Sequence, residues 1–373
     1  MRFCINMKKE NTSNAKFWLF ISMCFLALIA GISVFITSRS STSKNADVQK
    51  RSVTLTDAGF DTPVTFQAEC SEEDYLKYLD ILKTTFQDYN KLFDIYHEYE
   101  GINNVYTLNE KAAYEAVEVD PEIIDCIQQS MKANQVNQKF DIAEGKLLSL
   151  WHDARESDSP YLPDAQAISE AKVHTDVSGV IIDGNKISFK DDTVQLDLGA
   201  IAKGYTAEKA KEKLEEAGLD NGFINAGGNV VLIGNKKDGS EWVVGIQKPD
   251  SADSLVRYKT STPTCLVTSG DYQRYMTIDG KRYSHIIDPE TGYPAEYVRS
   301  VTVITPDSTW ADAMSTALFC MSVQDGMQVC KEQNLEAVWF TDKGALDLKP
   351  FLSTDEFDIY VTPGIENQIT LVE

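Results

Sequence analysis

The chain has 373 residues, enough for one large or two ordinary domains, and 43% of them are hydrophobic, as in a globular protein. Its net charge is −22, and because residues 1–36 carry four basic side chains against one acidic one, the remainder carries −25. A surface this acidic repels phosphates, which argues against a nucleic-acid partner and suggests that any phosphate ligand arrives with a divalent cation.

The first element predicted along the chain is a membrane-spanning helix. Residues 17–36 contain no charged side chain, and this run has the length that a helix needs to cross a bilayer. Three lysines precede it, so residues 1–16 are predicted to be a cytoplasmic basic segment of a single-pass cell-membrane protein whose body is extracytoplasmic. A cleaved signal peptide is the alternative, although its apolar region is usually shorter. Residues 37–51 are then a polar tether, and residues 52–373 form the globular domain.

The globular domain mixes helices and strands without a regular βαβ alternation. Residues 52–68 alternate apolar and polar side chains, as a strand or hairpin does, and residues 71–97 place aromatic and leucine side chains at helical spacing. Pro121 opens a second helix. The later elements are expected to be a short helix at 164–171, strands at 177–184, 186–190 and 193–199, a charged helix within 197–218, strands within 225–234, 241–249, 265–270 and 274–287, helices at 311–321 and 323–334, and strands at 337–341 and 358–362. This pattern predicts an α+β fold with mixed or antiparallel sheets flanked by helices.

Cysteine and histidine usage excludes two kinds of structural site. The seven cysteines form no C-x-x-C pair, and the five beyond the apolar run are an odd number, so they do not indicate a disulfide framework. Most are expected to be buried small hydrophobic residues. The four histidines are scattered without ligand spacing, which argues against zinc.

The stretch DLGAIAKGYTAEKAKEKLEEAG, residues 197–218, contains the ingredients of an anion site. Gly199 and Gly204 match neither G-x-x-x-x-G-K-[ST] nor G-x-G-x-x-G. Even so, N–H groups at a helix start favour an anion, Lys203 adds a positive charge, and Asp197 could face a metal or a ligand hydroxyl. The alternative is a plain strand-to-helix turn in which Gly199 eases the bend.

Three further clusters each allow a functional and a structural interpretation. NAGGN, residues 225–229, allows a close backbone approach to a ligand or forms a tight hairpin. His285 is either a general base or a structural histidine beside two isoleucines. Asp312 and Thr316 are four residues apart on one helix face, so both could reach one hard cation such as magnesium. Alternatively, Thr309 and Asp312 form a capping box.

Taken together, the motifs DLGAIAKGY, NAGGN, EWVVGIQKP, TSGDY, YSHIIDPETGYP and WADAMSTAL resemble, in this order, those of ApbE-type FAD:protein FMN transferases. The resemblance covers residues 55–345 and implies a T-fold-like arrangement. It implies that magnesium, or another divalent cation, is bound by the Ala200 carbonyl, Asp312 and Thr316, and that His285 is the proton acceptor. The residues that it assigns to FAD are Tyr96, Lys139, Phe140, Asp141, Asp197, Lys203 and Ile287.

The reaction implied by this resemblance is transfer of the FMN moiety of FAD to a threonine or serine hydroxyl of an acceptor protein, with release of AMP. The acceptor would be a membrane redox subunit or an extracytoplasmic flavoprotein. The chain departs from the family at Asp61 and at Gln138–Lys139, where smaller residues are usual. These departures allow a non-catalytic surface FAD-binding protein as an alternative. An FAD pyrophosphatase is the other alternative, because the same metal site could serve water in place of the protein hydroxyl.

Overall fold

The computed structural model describes residues 47–372. The predicted membrane helix at 17–36 lies outside the described residues. Within residues 47–372, no helix combines the length and the apolar character that crossing a bilayer requires.

The described chain alternates helices and strands irregularly. The helices are α1 (Glu72–Phe93), α2 (Val105–Lys111), α3 (Pro121–Val136), α4 (Gly145–Glu156), α5 (Ala165–Lys172), α6 (Ala202–Glu216), α7 (Ser308–Phe319) and α8 (Val323–Gln333), with short 3-10 turns at Val177–Gly179 and Pro363–Gln368. The strands are β1 (Gln49–Leu55), β2 (Val64–Cys70), β3 (Val117–Glu118), β4 (Val180–Asp183), β5 (Lys186–Phe189), β6 (Gly222–Ala226), β7 (Asn229–Ile233), β8 (Trp242–Gln247), β9 (Ser254–Thr260), β10 (Cys265–Gly270), β11 (Tyr275–Ile278), β12 (Lys281–Ser284), β13 (Ile287–Asp288), β14 (Tyr293–Pro294), β15 (Ser300–Thr305), β16 (Glu336–Asp342), β17 (Leu352–Ser353), β18 (Phe357–Val361) and β19 (Ile369–Leu371).

A nine-stranded antiparallel sheet organises the domain, with the strand order β1-β2-β6-β7-β10-β15-β16-β18-β17. Two three-stranded sheets, β19-β9-β8 and β3-β5-β4, and the hairpins β11-β12 and β13-β14 complete the strand pairing that residues 47–372 show. The predicted α+β fold with antiparallel sheets flanked by helices is confirmed.

The central strands of the large sheet are buried on both faces. Helix α7 packs on β7, β10 and β15, helix α6 packs on β6 and β7, and helix α1 packs on α6 and β2. The β19-β9-β8 sheet contributes to a separate apolar cluster with side chains from the opposite face. Side chains alternate between the two faces of the sheet along each strand. On β10, Val267 therefore belongs to the core under the helices, here called the helix-side core, whereas Leu266 belongs to the cluster on the opposite face. Nearly every residue of α7 is therefore buried.

Most local predictions agree with these elements, and two are wrong. Residues 193–199 do not form a strand: they run beside the 140s segment through one isolated parallel bridge between Glu144 and Gln195. Two backbone hydrogen bonds join these segments. The chain then turns at Asp197 towards α6, so the two segments do not run side by side long enough to form a β-ladder. The capping box at Thr309 is also wrong, because Asp307 is the N-cap of α7 and accepts the Trp310 N–H.

The cysteines behave as predicted. The five from Cys70 onward are buried free thiols in the described part of the chain. Three of them, Cys126, Cys320 and Cys330, pack in the helix-side core as small apolar groups.

Candidate active site

The centre of the site is the contact between helices α6 and α7. The Gly204 N–H donates to Asp312 Oδ2 at 2.7 Å. A Cβ atom at position 204 would lie 2.3 Å from the Ser308 carbonyl oxygen and 2.4 Å from Asp312 Cβ, so only glycine allows the two helices to approach this closely. The buried Asp312 carboxylate is thus fixed to the first turn of α6.

This hydrogen bond satisfies a donor at the start of α6. Gly204 is the third residue of the helix, so its N–H has no partner within the helix and bonds to Asp312. Ala200 precedes the helix, and no residue between 47 and 372 donates to its carbonyl. That oxygen therefore keeps its lone pairs at the turn that leads into α6.

Thr316 adds a third oxygen on the same face of α7, one turn beyond Asp312. Its half-buried hydroxyl makes no hydrogen bond within residues 47–372. The neighbouring Ser315 hydroxyl differs, because it bonds to the Asp312 carbonyl at 2.9 Å and to Ser269 Oγ at 2.8 Å. A carbonyl, a carboxylate and a hydroxyl that keep free lone pairs are donors suited to a hard divalent cation. The residues therefore fit magnesium.

The surroundings of Asp312 hold two opposing influences on its charge. Burial raises the pKa of the Asp312 carboxyl, whereas Lys203, the Gly204 N–H and the Asn229 amide act to lower it. Asn229 is itself buried, and its Nδ2 makes no hydrogen bond of normal geometry with any described residue, although it lies near enough to Asp312 to affect its pKa. A bound cation would favour the ionised carboxylate.

Asp197 and Lys203 line the turn that leads into α6. Asp197 Oδ1 accepts the Gly199 N–H at 2.7 Å, and Lys203 Nζ lies 3.3 Å from the Gly199 carbonyl oxygen. Burial raises the pKa of Asp197, while the Gly199 N–H and Lys203 oppose the shift. The charge of Lys203 also lowers the pKa of Asp312 and of His285, so one ammonium group influences all three side chains. The structure thus brings these predicted residues together.

His285 is held in one tautomer. Its Nδ1 lies 3.0 Å from the Arg274 carbonyl oxygen, and its backbone N–H donates to the same oxygen at 3.0 Å. Because a carbonyl only accepts, Nδ1 carries the proton and Nε2 keeps a lone pair. Burial, followed by the charge of Lys203, lowers the pKa of His285 to about 3. The imidazole is therefore neutral at physiological pH and can accept a proton through Nε2.

Tyr96 lies at the mouth of the same region and is 56% exposed. Its ring centroid is 5.2 Å from that of His152, and its hydroxyl is 3.4 Å from His152 Nδ1. Burial of the hydroxyl end raises the pKa of Tyr96, with further effects from Asp197, Arg155 and Arg274. An exposed aromatic ring is suited to stacking on a planar ligand.

The other residues assigned to FAD are engaged within the protein. Lys139 Nζ donates to both Asp288 oxygens at 2.8 and 2.9 Å and pairs with Glu290 at 2.7 Å. Phe140 is buried in the helix-side core, with both of its backbone polar groups hydrogen-bonded.

Asp141 and Ile287 are likewise held by the fold. Asp141 Oδ1 accepts the Ala143 N–H at 2.7 Å, and burial raises the pKa of Asp141. Ile287 is 2% exposed and lies in β13. Some of the predicted residues thus keep polar atoms or an aromatic face free for a ligand. They are the three proposed cation ligands together with Tyr96, Asp197, Lys203 and His285.

Sequence reasoning missed two residues of this arrangement. The sequence shows Gly204 only as a member of a glycine pattern, yet its missing side chain sets the distance between α6 and α7. Asn229 was noted within NAGGN without a role. A polar residue that opens an apolar strand directly after two turn glycines was the signal that could have identified it.

Comparison with known proteins identifies the class of fold. The crystal structure of the ApbE protein from Thermotoga maritima has a TM-score of 0.71 and 30% identity, covering 78% of this chain and 94% of that chain. The apo flavinyl transferase ApbE of Pseudomonas stutzeri shares the fold with a TM-score of 0.71 at 22% identity, covering 86% of this chain and 96% of that chain. The fold is therefore that of solved ApbE proteins.

Sequence comparison then gives the family. The ApbE family model matches residues 60–339. A curated FAD:protein FMN transferase from Klebsiella pneumoniae is 33% identical over 265 residues, which is 68% of this chain and 81% of that protein. One from Vibrio cholerae is 30% identical over 256 residues, which is 66% of this chain and 76% of that protein. The chain belongs to the ApbE family, and the resemblance inferred from its motifs is confirmed.

Proposed function

We propose that this chain is an FAD:protein FMN transferase that attaches FMN through a phosphoester to a threonine or serine hydroxyl of an acceptor protein and releases AMP. The names of its relatives support the reaction class. The observation that carries the proposal is the Gly204–Asp312 hydrogen bond, which fixes the buried Asp312 carboxylate at the start of α6, where the charge of Lys203 acts on both Asp312 and His285.

The proposed ligands of magnesium are the Ala200 carbonyl, the Asp312 carboxylate and the Thr316 hydroxyl. When bound, the cation would neutralise charge on the pyrophosphate and orient it for in-line displacement. A domain with a large negative charge makes such neutralisation important, because FAD without a counter-ion would be repelled.

The chain's own residues have separable roles in the transfer. His285 Nε2 accepts the proton of the acceptor hydroxyl as its oxygen forms a bond to the FMN-side phosphorus. The bond between that phosphorus and the bridging oxygen breaks, and AMP leaves with the bridging oxygen. Lys203 adds positive charge beside the pyrophosphate, and Asp197 accepts a hydrogen bond from a ligand hydroxyl. Tyr96 stacks on the isoalloxazine ring at the mouth.

The test is release of AMP from FAD by the full-length chain in detergent, with MgCl₂, in the presence and absence of a flavin-acceptor domain. We expect AMP and covalent flavin fluorescence on the acceptor to appear in equal amounts, and both to disappear in Asp312→Ala. Release of AMP and FMN without an acceptor would instead identify an FAD pyrophosphatase. Bound FAD without any turnover would identify a carrier and refute the transferase.

The location of the reaction is a further part of the proposal. The uncharged run at 17–36 and the lysines before it support a single-pass anchor with the catalytic domain on the extracytoplasmic side. The acceptor would then be a membrane redox subunit or an extracytoplasmic flavoprotein. Protease digestion of intact cells tests the orientation: the domain should be degraded without cell lysis, and its protection would refute the proposal.

A further inference from the structure

The NAGGN motif forms a hairpin turn whose side-chain directions are fixed by strand pairing. Gly227 and Gly228 have φ values of +58° and +99°, and Ala226 pairs with Asn229 across the turn. A Cβ at Gly227 would lie 2.0 Å from Thr62 Oγ1, so the turn is packed tightly against the neighbouring loop. The position at which β7 begins is therefore fixed, and with it the direction of the Asn229 side chain.

Alternation along β7 directs that side chain towards the helices. Val231 and Ile233 lie on the same face as Asn229, and both pack in the core cluster that contains apolar side chains of α6. Val267, which pairs directly with Asn229, belongs to the core that includes much of α7. Asn229 is thus buried on the face of the sheet that α6 and α7 cover, where Asp312 lies.

The amide group of Asn229 lacks a partner in this position. Its Nδ2 is fully buried and makes no hydrogen bond of normal geometry with any residue in 47–372. A buried donor without an acceptor is unfavourable, and such groups are rare in folded proteins. The carboxylate that it influences belongs to Asp312, whose Oδ2 already accepts the Gly204 N–H.

We propose that Asn229 is a positioning residue for the cation site: its Nδ2, which has no partner within residues 47–372, donates to the Asp312 carboxylate when the cation is bound and, together with the Gly204 N–H, orients it so that the remaining lone pairs face the cation. The inference rests on the proposed function, since it takes Asp312 as a cation ligand. Hydrogen bonds from outside the ligand set are a general means of orienting metal ligands, and their loss typically weakens metal affinity about 10- to 100-fold.

The substitution Asn229→Leu separates orientation from packing. Leucine has the branched side-chain skeleton of asparagine but a larger volume and no donor, so removal of a buried unpartnered amide offsets the cost of packing the larger methyl groups and the thermal midpoint should change little. If Asn229 orients Asp312, the affinity for the cation should fall even though the fold is as stable as before. Asn229→Ala is the second variant, should leucine disturb the hairpin.

Asn225→Ala is the matched control. Asn225 belongs to the same motif, and its Oδ1 accepts the Gly228 N–H at 3.1 Å, so its loss weakens the turn itself without removing a donor to Asp312. We expect it to lower the thermal midpoint while leaving cation affinity unchanged.

The measurement is Mn²⁺ binding to the full-length chain, followed by the electron paramagnetic resonance signal of free Mn²⁺ with and without FAD, beside thermal unfolding. We expect the Mn²⁺ dissociation constant to rise about tenfold or more in Asn229→Leu and Asn229→Ala. Unchanged affinity in both, with binding abolished by Asp312→Ala, would overturn the role of Asn229 alone. Mn²⁺ binding that survives Asp312→Ala would overturn the cation site and the inference with it.

Discussion

Replacing Gly204 with alanine tests whether the separation of α6 and α7 sets the activity. The added Cβ would lie 2.3 Å from the Ser308 carbonyl oxygen, where ordinary contact begins at 3.4 Å. The helices must therefore part by about 1 Å, which would lengthen the 2.7 Å bond from Gly204 N–H to Asp312 to about 3.7 Å, beyond hydrogen-bonding distance.

The expected cost follows from three contributions. Overpacking costs about 1–3 kcal/mol and the lost hydrogen bond about 1 kcal/mol, while the better helix propensity of alanine returns about 1 kcal/mol. The free energy of unfolding should fall by about 1–3 kcal/mol, and the thermal midpoint of a domain of this size by roughly 1–5 °C. Because displacement of a catalytic group by about 1 Å can cost on the order of 100-fold in rate, AMP release should fall by that factor.

The assay is AMP release at saturating FAD and magnesium, at a temperature where both proteins are folded. Gly326→Ala is the control, since this glycine is also helical and buried but lies in α8, and its Cβ would meet the Trp339 ring at 3.1 Å and none of the proposed site residues. It should retain wild-type activity. If Gly204→Ala kept activity within twofold of wild type, the reasoning about the helix contact would be refuted.

Three other predictions concern the predicted site residues. His285→Gln should lower kcat about 10²- to 10⁴-fold. Because burial and Lys203 lower the pKa of His285 to about 3, wild-type kcat/KM should show no acid limb near pH 6.5; a limb there would contradict this account of the base. The pKa of His285 in the folded state lies below the unfolded value of 6.5. The contribution of neutral His285 to the free energy of unfolding is therefore complete above pH 6.5 and is lost as the pH falls towards 3. Acid unfolding of His285→Gln should consequently begin at a lower pH than that of the wild type. Asp312→Asn keeps an acceptor for the Gly204 N–H, so it should fold normally while the magnesium concentration for half-maximal activity rises at least tenfold; an unchanged requirement would exclude Asp312 as a ligand. Tyr96→Ala should raise the KM for FAD about tenfold, as expected for a lost stacking contact, whereas Tyr96→Phe should leave it within twofold; equal effects would show that the hydroxyl matters more than the ring.

Local patterns predicted the elements well because they depend on neighbouring residues. The apolar spacing of 71–97 predicted α1, and its N-cap Ser71, which accepts the Asp74 N–H, is of the usual type. Pro121 likewise marks the first residue of α3. By contrast, residues 193–199 have strand-like alternation but pair at a single bridge, because their neighbour in space is an irregular segment.

The candidate site was harder to predict because its key contacts join distant parts of the chain. Gly204 and Asp312 are 108 residues apart, so neither motif alone shows that one donates to the other. Thr309 and Asp312 match a capping box locally, yet Asp307 caps the helix and frees Asp312 for α6. The motifs therefore predicted which residues take part, and the packing of α6 on α7 determines how.

The two hydrogen bonds that hold His285 both end on the backbone oxygen of Arg274. Every amino acid supplies that oxygen, so the orientation of the base is independent of the side chain at position 274. That exposed side chain is consequently open to evolutionary change without loss of the base. A substitution at position 274 should therefore change the charge beside His285 without releasing its imidazole from this tautomer.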